Sequence, residues 1–222
     1  MSNNKIAVFC DFDGTVASRD VGYNMFHHFS GGRNDELLPD WKAGILSSRD
    51  ILTKEAEMVH ASSAEICEYL EQFTIDETFI EFEWRCRGTG VPLTILSEGL
   101  DLYIHQILGR YGLGHIKVVC NKGHLENDGL RIEFPYTNHD CRNCGSCKGE
   151  RIREYRKVFT EGTIMAFVGD GYSDACAAKE ADVVFAKKDL EVYCHDNDIP
   201  FNSYETFADV AGRLGAAGLL TA

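Results

Sequence analysis

The sequence predicts an α/β fold: a mainly parallel sheet covered by helices on both faces, with one helical insertion and one small antiparallel hairpin flap. Three observations predict it. From about residue 88 onward, short apolar runs that suit buried strands alternate with stretches of helical periodicity, the pattern of strand–helix–strand units. Residues 18–87, by contrast, show helical spacing alone. Finally, residues 125–134 alternate around Asn127-Asp128-Gly129, a strong short-range hairpin signal.

The elements follow in order. The 222 residues suit one core domain with an insertion, or two modest domains, and allow a well-buried core. Ile6-Ala7-Val8-Phe9-Cys10 is an unbroken apolar run and reads as a buried strand ending at Asp11. Roughly four or five short helices follow across 18–87. Ser62-x-x-Glu65 opens one as a capping box, Asp50 starts or continues another within 50–60, and Asp76 precedes Phe79, Ile80, Phe82 and Trp84. Beyond Gly88, residues 91–97 are a second strand, 100–111 a helix and 117–121 a third strand, after which comes the hairpin. Residues 150–159 read as a charged helix, 163–169 as a strand, 173–180 as a helix, 183–186 as a strand and 204–214 as a closing helix. In such a sheet the ligand site lies at the carboxyl ends of the strands.

Composition narrows the partners. Against 22 Lys+Arg stand 35 Asp+Glu, a formal charge of −13, which repels nucleic acid and acidic membrane surfaces in the absence of a basic patch. No apolar run reaches the length of a spanning helix, and Met1-Ser2-Asn3-Asn4-Lys5 lacks the apolar core of a secretory signal, so a cytoplasmic location is expected. Of nine cysteines, Cys10, Cys67, Cys86, Cys120, Cys176 and Cys194 are scattered through regular segments as small buried apolar residues would be. Oligomeric state is left open.

Chemistry enters with Asp11-Phe12-Asp13-Gly14-Thr15. Two carboxylates two positions apart are delivered where the first strand ends. One can attack phosphorus, while the other, in the Gly-containing turn, can handle the proton of the leaving oxygen. Three more motifs fall at strand ends. Ser97-Glu98-Gly99 offers a hydroxyl and free amides for phosphate oxygens. Lys148 opens a helix and can set a cation opposite the nucleophile. Gly169-Asp170-Gly171-Tyr172-Ser173-Asp174 places two carboxylates at a strand-to-helix turn, hard oxygen ligands suited to Mg²⁺. A divalent ion is expected on Coulombic grounds, because a carboxylate about 4 Å from a phosphate dianion meets a repulsion of a few kcal/mol per charge pair.

Taken together, these four motifs resemble those of the haloacid dehalogenase-like phosphatases, in order and at matching spacing. That resemblance implies a Rossmann-like catalytic core over residues 1–17 and 88–222, with 18–87 forming a mobile helical cap. It implies that Asp11 is a nucleophile forming an aspartyl phosphate and that Asp13 is the general acid and then base. Ser97 and Lys148 would bind the phosphoryl group, beside the amides of Glu98 and Gly99 that the strand end frees for the same oxygens. Mg²⁺ would be held by Asp11, the Asp13 carbonyl and Asp170, with Asp174 direct or through water. Members that are dehalogenases or ion pumps do not carry Asp two positions after the nucleophile, so Asp13 favours phosphoester hydrolysis. Cys141-x-x-Cys144-x-x-Cys147-Lys148, residues 173–179 and Phe185-Ala186-Lys187-Lys188-Asp189-Leu190 look like a narrower group. These are the methionine-salvage phosphatases acting on 2-hydroxy-3-keto-5-methylthiopentenyl-1-phosphate, near relatives of phosphoserine phosphatase. Phosphocholine and phosphoethanolamine phosphatases share the general pattern, which keeps a cationic head group as an alternative.

Each of these residues also has a plainer reading. Asp11 and Asp13 are compatible with a strand end and an Asx turn, Ser97 with a turn hydroxyl, Asp170 and Asp174 with helix capping. Lys122, Lys157 and Arg151 compete with Lys148. Asp20 and Tyr23 lie where cap and core would face each other, and Phe26 or Trp41 can wall an apolar pocket, although all four also suit ordinary packing. The His27-His28 pair reads as one surface and one core position on a helix. His139, Cys141, Cys144 and Cys147 have ligand types that suit a structural Zn²⁺, but they crowd one short segment, where structural zinc normally draws on two spaced pairs; a reduced loop or a disulfide is the alternative. A non-catalytic, cysteine-bearing regulatory protein is the competing functional class. The expected partner is a small phosphorylated metabolite.

Overall fold

The computed structural model describes residues 6–138, 141 and 143–220. At its centre is β1 (Ile6–Cys10), buried at every position. It pairs in parallel with β2 (Leu93–Leu100) on one side and with β5 (Ile164–Gly169) on the other. With β3 (Lys117–Glu126), β4 (Gly129–Glu133), β6 (Val183–Ala186) and β7 (Asn202–Ser203), the sheet runs in the order β4-β3-β2-β1-β5-β6-β7. Every neighbouring pair is parallel except β3 and β4.

Alternation along β1 explains why the run is apolar throughout. Ile6, Val8 and Cys10 belong to one core, with Ile95, Ile104 and Phe185. Ala7 and Phe9 belong to a second core, with Leu96, Ile152, Phe167 and Leu190. Both faces are covered, so no position of the strand tolerates a polar side chain. Successive strands step away from β1 in one direction through β2 and β3, and then β5 returns to the other side of β1. The crevice at that reversal lies outside the carboxyl ends of β1, β2 and β5.

Between β1 and β2 lie α1 (Val21–Ser30), α2 (Leu38–Lys42), α3 (Ser48–Glu57), α4 (Ser63–Leu70) and α5 (Thr78–Thr89), with a 3-10 stretch at Arg33–Leu37. Ser62 and Glu65 form the expected capping box of α4. Asp50 closes a second one at the third position of α3, whose N-cap is Ser47. The last helix of the insertion packs on the sheet layer: the rings of Phe79 and Phe82 lie 4.7 and 5.2 Å from Phe207, in α10 (Phe207–Ala216). The hairpin turn is as expected, with Asn127 and Asp128 both left-handed at φ 52° and 59°, the pair of conformations a two-residue turn of this hand requires. Its tip touches the insertion, since Ala61 N donates to Asp128 O at 2.9 Å.

After β2 come α6 (Asp101–Arg110), α7 (Lys148–Val158), α8 (Ala175–Glu180) and α9 (Lys188–Asp196). Several elements differ from expectation. β3 continues to Glu126 because it becomes one arm of the hairpin. The helix expected over 173–180 opens as a 3-10 turn at Tyr172–Asp174. α9 was not expected, because Lys187, Lys188 and Asp189 give its start the look of a loop; it buries only Leu190 and Cys194, one helical turn apart. β7, with two residues, is too short to leave a pattern. Among the cysteines taken as packing residues, Cys67 is exposed. His27 and His28 are both exposed, His27 beside Asp35 and His28 stacked on Tyr69, so neither is a core position. No helix of the described residues is long and apolar enough to cross a membrane.

Phe207 is fully buried and touches the rings of Phe79, Phe82 and Tyr204. Phe207→Ala leaves a cavity at the joint between α5 and α10. We expect it to lower the unfolding free energy by about 3–5 kcal/mol in urea titration, whereas a loss under ~1 kcal/mol would show that this joint contributes little.

Candidate active site

β1 carries Asp11 to the crevice, where it is 4% exposed. The chain then turns within Phe12–Val16, closed by Ala17 N donating to Phe12 O at 2.8 Å. Gly14 sits in this turn at φ 71°, and a Cβ there would collide with the Asp170 carboxylate. Glycine is therefore required both by backbone conformation and by closeness of approach. Asp170 follows β5. It accepts a bond from Thr15 Oγ1 at 3.2 Å and pairs with Lys188 Nζ at 2.8 Å. Asp174, fully buried at the start of α8, accepts from the amides of Asp170 and Gly171 at 3.0 and 3.1 Å.

Lys148 begins α7 and is 1% exposed. Its Nζ lies 2.7 Å from Asp11 Oδ1 and 2.5 Å from Asp174 Oδ1, with Ser173 Oγ at 3.4 Å. Burial opposes the charge, but the Asp11 and Asp174 carboxylates outweigh it and hold the ammonium pKa well above the usual lysine value. The competitors are elsewhere: Lys122 faces Glu133, Arg151 pairs with Glu154, and Lys157 is exposed.

Carboxylate oxygens of Asp11, Asp170 and Asp174 lie within 4.8 Å of one another. Burial, and then the neighbouring Asp174 charge, push the Asp11 carboxyl well above its ordinary range even against the pull of Lys148. The cluster thus holds more negative charge than its one buried ammonium offsets. Three hard oxygen donors with excess negative charge fit a divalent cation such as Mg²⁺.

Asp13 occupies a different environment. Its Oδ1 accepts from the amides of Val21 and Gly22, the start of α1, at 2.9 and 3.1 Å. Its Oδ2 accepts from Tyr103 Oη at 2.7 Å and lies 3.5 Å from Ser97 Oγ. Burial, and secondarily Asp20, raise its pKa to about 7, although the Tyr103 and amide bonds pull the other way. The carboxyl is therefore poised to give up or accept a proton near neutrality.

Ser97, Glu98 and Gly99 lie where the β2–β3 pairing is irregular, between Leu96 and Leu100, which frees their backbone from the ladder. Ser97 Oγ accepts from Gly99 N at 2.9 Å. Gly99 has no space for a Cβ, which would strike Tyr103 and Asp13. The Glu98 carboxyl is turned to the loop before Lys148, accepting from Gly145 N at 3.1 Å. Burial raises its pKa to about 7.

Above these groups is a cavity of about 180 Å³. Asp11, Asp13, Ser97, Glu98, Gly99 and Lys148 line its floor, while Asp20, Tyr23, Phe26 and Trp41 contribute walls from the insertion. Asp170 and Asp174 sit beside Asp11. Sequence reasoning missed Tyr103, which holds Asp13, Lys188, which pairs with Asp170, and Glu55, which lines the cavity on α3. Glu55 and Tyr103 are isolated residues on helices and left no motif; Lys188 had drawn notice only within a longer segment. His139 lies outside the described residues. The sulfurs of Cys141, Cys144 and Cys147 lie within 4.8 Å of one another.

A family model described as Putative Phosphatase matches residues 6–207. The chain is similar to Pdp3-interacting factor 1 of Schizosaccharomyces pombe, 34% identical over 217 residues that cover 93% of each chain. It is similar also to the 2-hydroxy-3-keto-5-methylthiopentenyl-1-phosphate phosphatase of Brevibacillus brevis, 28% identical over 212 residues and 94% of each chain. Among solved structures, a substrate-bound phosphoserine phosphatase complex superposes with a TM-score of 0.75 over 96% of this chain and 99% of that one, at 17% identity. That last likeness speaks for the fold.

Glu55 is 5% exposed, and burial raises its pKa from 4.5 to about 7, with Asn34 Nδ2 at 3.4 Å pulling it back in part. A carboxyl whose pKa is higher folded than unfolded favours the native state while protonated, and that contribution fades as pH rises from about 4.5 to about 7. We expect Glu55→Gln to melt above wild type at pH near 8, by more than any difference at pH near 5, in thermal unfolding followed by circular dichroism. An equal offset at both pH values would show that Glu55 titrates normally.

Proposed function

The chain belongs to the Putative Phosphatase family and is a phosphoester hydrolase of haloacid dehalogenase-like fold; from that premise we propose that it is a Mg²⁺-dependent phosphomonoesterase working through an aspartyl phosphate at Asp11. The observation that carries this reading is the contrast between two carboxyls two residues apart. Asp11 is held against Lys148 and the other acidic groups, whereas Asp13 is turned toward Ser97, Tyr103 and the start of α1. One is placed to attack and the other to move a proton.

In this reading the phosphoryl oxygens are held by Lys148 and Ser97, with the Gly99 backbone beside them. Asp11 attacks phosphorus in line, and Asp13, protonated below about pH 7, donates to the leaving alkoxide. Asp13, now ionised, takes a proton from the water that hydrolyses the acyl phosphate. Asp11, Asp170 and Asp174, with the Asp13 carbonyl, would hold Mg²⁺, which when bound offsets the repulsion between carboxylate and phosphate. Helices of the insertion serve as the cap, and residues 18–87 are its extent; Asp20 and Tyr23 face the substrate from it. The nine thiols suit a reducing compartment, and we place the enzyme in the cytoplasm.

For the substrate we favour 2-hydroxy-3-keto-5-methylthiopentenyl-1-phosphate, the compound in the name of the Brevibacillus brevis relative. The apolar walls of Phe26, Trp41 and Ile51 suit a methylthio chain. A second reading, phosphoethanolamine or phosphocholine, is favoured by Glu55 and Asp20, two acidic groups beside aromatic rings in the same cavity. Phosphoserine fits less well, because among the described residues lining the cavity Lys148 is the one cation and it is already engaged. That the chain is a hydrolase removes the competing reading as an inert regulatory protein.

Turnover of these four compounds, with and without Mg²⁺, tests the proposal. We expect the enol phosphate to give the highest kcat/KM and chelation to abolish release of phosphate; preference for the amine phosphates would support the second reading, and undiminished activity in a chelator would contradict the metal role. Asp11→Asn is expected to abolish turnover, and Asp13→Asn to slow it on the order of 10²–10⁴-fold. Full activity in Asp11→Asn would rule out the covalent route.

A further inference from the structure

The thiols of Cys141, Cys144 and Cys147 are joined in space by a fourth. Cys176, read from the sequence as a packing residue, is the second residue of α8, and its sulfur lies within hydrogen-bonding reach of both Cys144 and Cys147. Cys147 also reaches Cys141, and Cys141 and Cys144 are 3.3 Å apart. Three sulfurs from the loop before α7 therefore cluster, and a fourth, from the helix after β5, stands beside two of them. We propose that Cys141, Cys144, Cys147 and Cys176 are the ligands of a structural metal site that takes Zn²⁺.

Four thiolates at about 2.3 Å from a tetrahedral zinc stand ~3.8 Å from one another; the sulfurs of Cys141, Cys144 and Cys147 already lie within 4.8 Å of one another, and that of Cys176, which faces Cys144 and Cys147, completes the set by closing on Cys141 when the ion binds. The crowding that argued against a metal when only one segment supplied ligands is lifted by Cys176, which enters from a separate element. Backbone amides face two of the sulfurs. Gly149 N donates to the Cys176 sulfur at 3.3 Å, and the Glu150 amide reaches that of Cys147. Both amides belong to the first turn of α7, whose positive end faces the cluster. Gly149 itself is tightly fitted, because a Cβ there would collide with the Cys176 backbone. Binding involves no redox step: each coordinating thiol releases its proton to solvent and donates a sulfur lone pair to the ion.

Position explains what such an ion does. Cys147 directly precedes Lys148, and Cys176 follows Asp174 by two residues, so one ion ties together the two chain segments that bring the buried ammonium against the buried carboxylate. Glu98, through Gly145 N, anchors the same loop to β2.

The test is metal content and thiol accessibility of the full chain, purified under reducing conditions without chelator, with no reliance on turnover. We expect about one zinc per chain by mass spectrometry, released in step with reaction of four thiols with a mercurial. Cys176→Ser is expected to lose most of that zinc, whereas Cys67→Ser, at an exposed position, keeps it. Since Cys176→Ser is open to misfolding, the wild-type protein carries a second measurement: after exchange of the zinc for Co²⁺, the visible spectrum should show tetrahedral bands with sulfur-to-metal charge transfer. Zinc-free wild type with all four thiols freely reactive, a Cys141–Cys144 disulfide, or full zinc in folded Cys176→Ser would each overturn the proposal.

Discussion

A single buried ammonium organises this molecule. Lys148 is 1% exposed and lies between the carboxylates of Asp11 and Asp174, which arrive on the ends of β1 and at the start of α8. Neither carboxylate would remain in a water-poor crevice without a counter-charge. The ammonium in turn has no other means of being buried. Three segments far apart in the chain are thereby held to within a few ångströms of common geometry, and the sheet order that puts β1 between β2 and β5 is what lets them meet.

Charge at this point is deliberately unbalanced. Asp11, Asp170 and Asp174 converge, while Lys148 reaches two of them and Lys188 the third. Asp13 is kept out of that cluster, caught by the first amides of α1 and by Tyr103. Two carboxyls two residues apart, one at the end of β1 and one inside the turn that follows, thereby take opposite chemical character. Gly14 makes the turn tight enough for Asp170 to lie against it, and Gly99 leaves the space that Tyr103 needs to reach Asp13. Small residues set the distances, and the polar groups then follow.

Much of this was legible in the residues. β1 reads as a strand because both of its faces are covered, and the hairpin announced itself through Asn127 and Asp128, whose side chains tolerate left-handed backbone. Three of the four motifs could be placed because each joins a polar cluster to an apolar run, whereas Lys148 opens α7 after the cysteine-rich loop. What could not be read was long-range pairing among residues without a motif. Tyr103 looks like one more apolar position on α6, Glu55 like a surface charge on α3, and Cys176 like a small core residue on α8. Their roles arise from what stands opposite them in space. The same holds for Glu98, whose neighbours in sequence suggest the phosphate and whose carboxyl is turned to Gly145. α9 and β7 were missed for a different reason: a helix burying two side chains and a strand of two residues carry too little periodicity to detect.

The central claim is that phosphorus becomes bonded to Asp11. Borohydride reduces an acyl phosphate to the alcohol, so quenching the enzyme during turnover and reducing it should convert Asp11 to homoserine, found by peptide mass spectrometry only when substrate is present. Conversion confined to Asp11 is the result the account predicts. Unmodified Asp11 under conditions of rapid turnover, or phosphate retained on Ser97 instead, would contradict it.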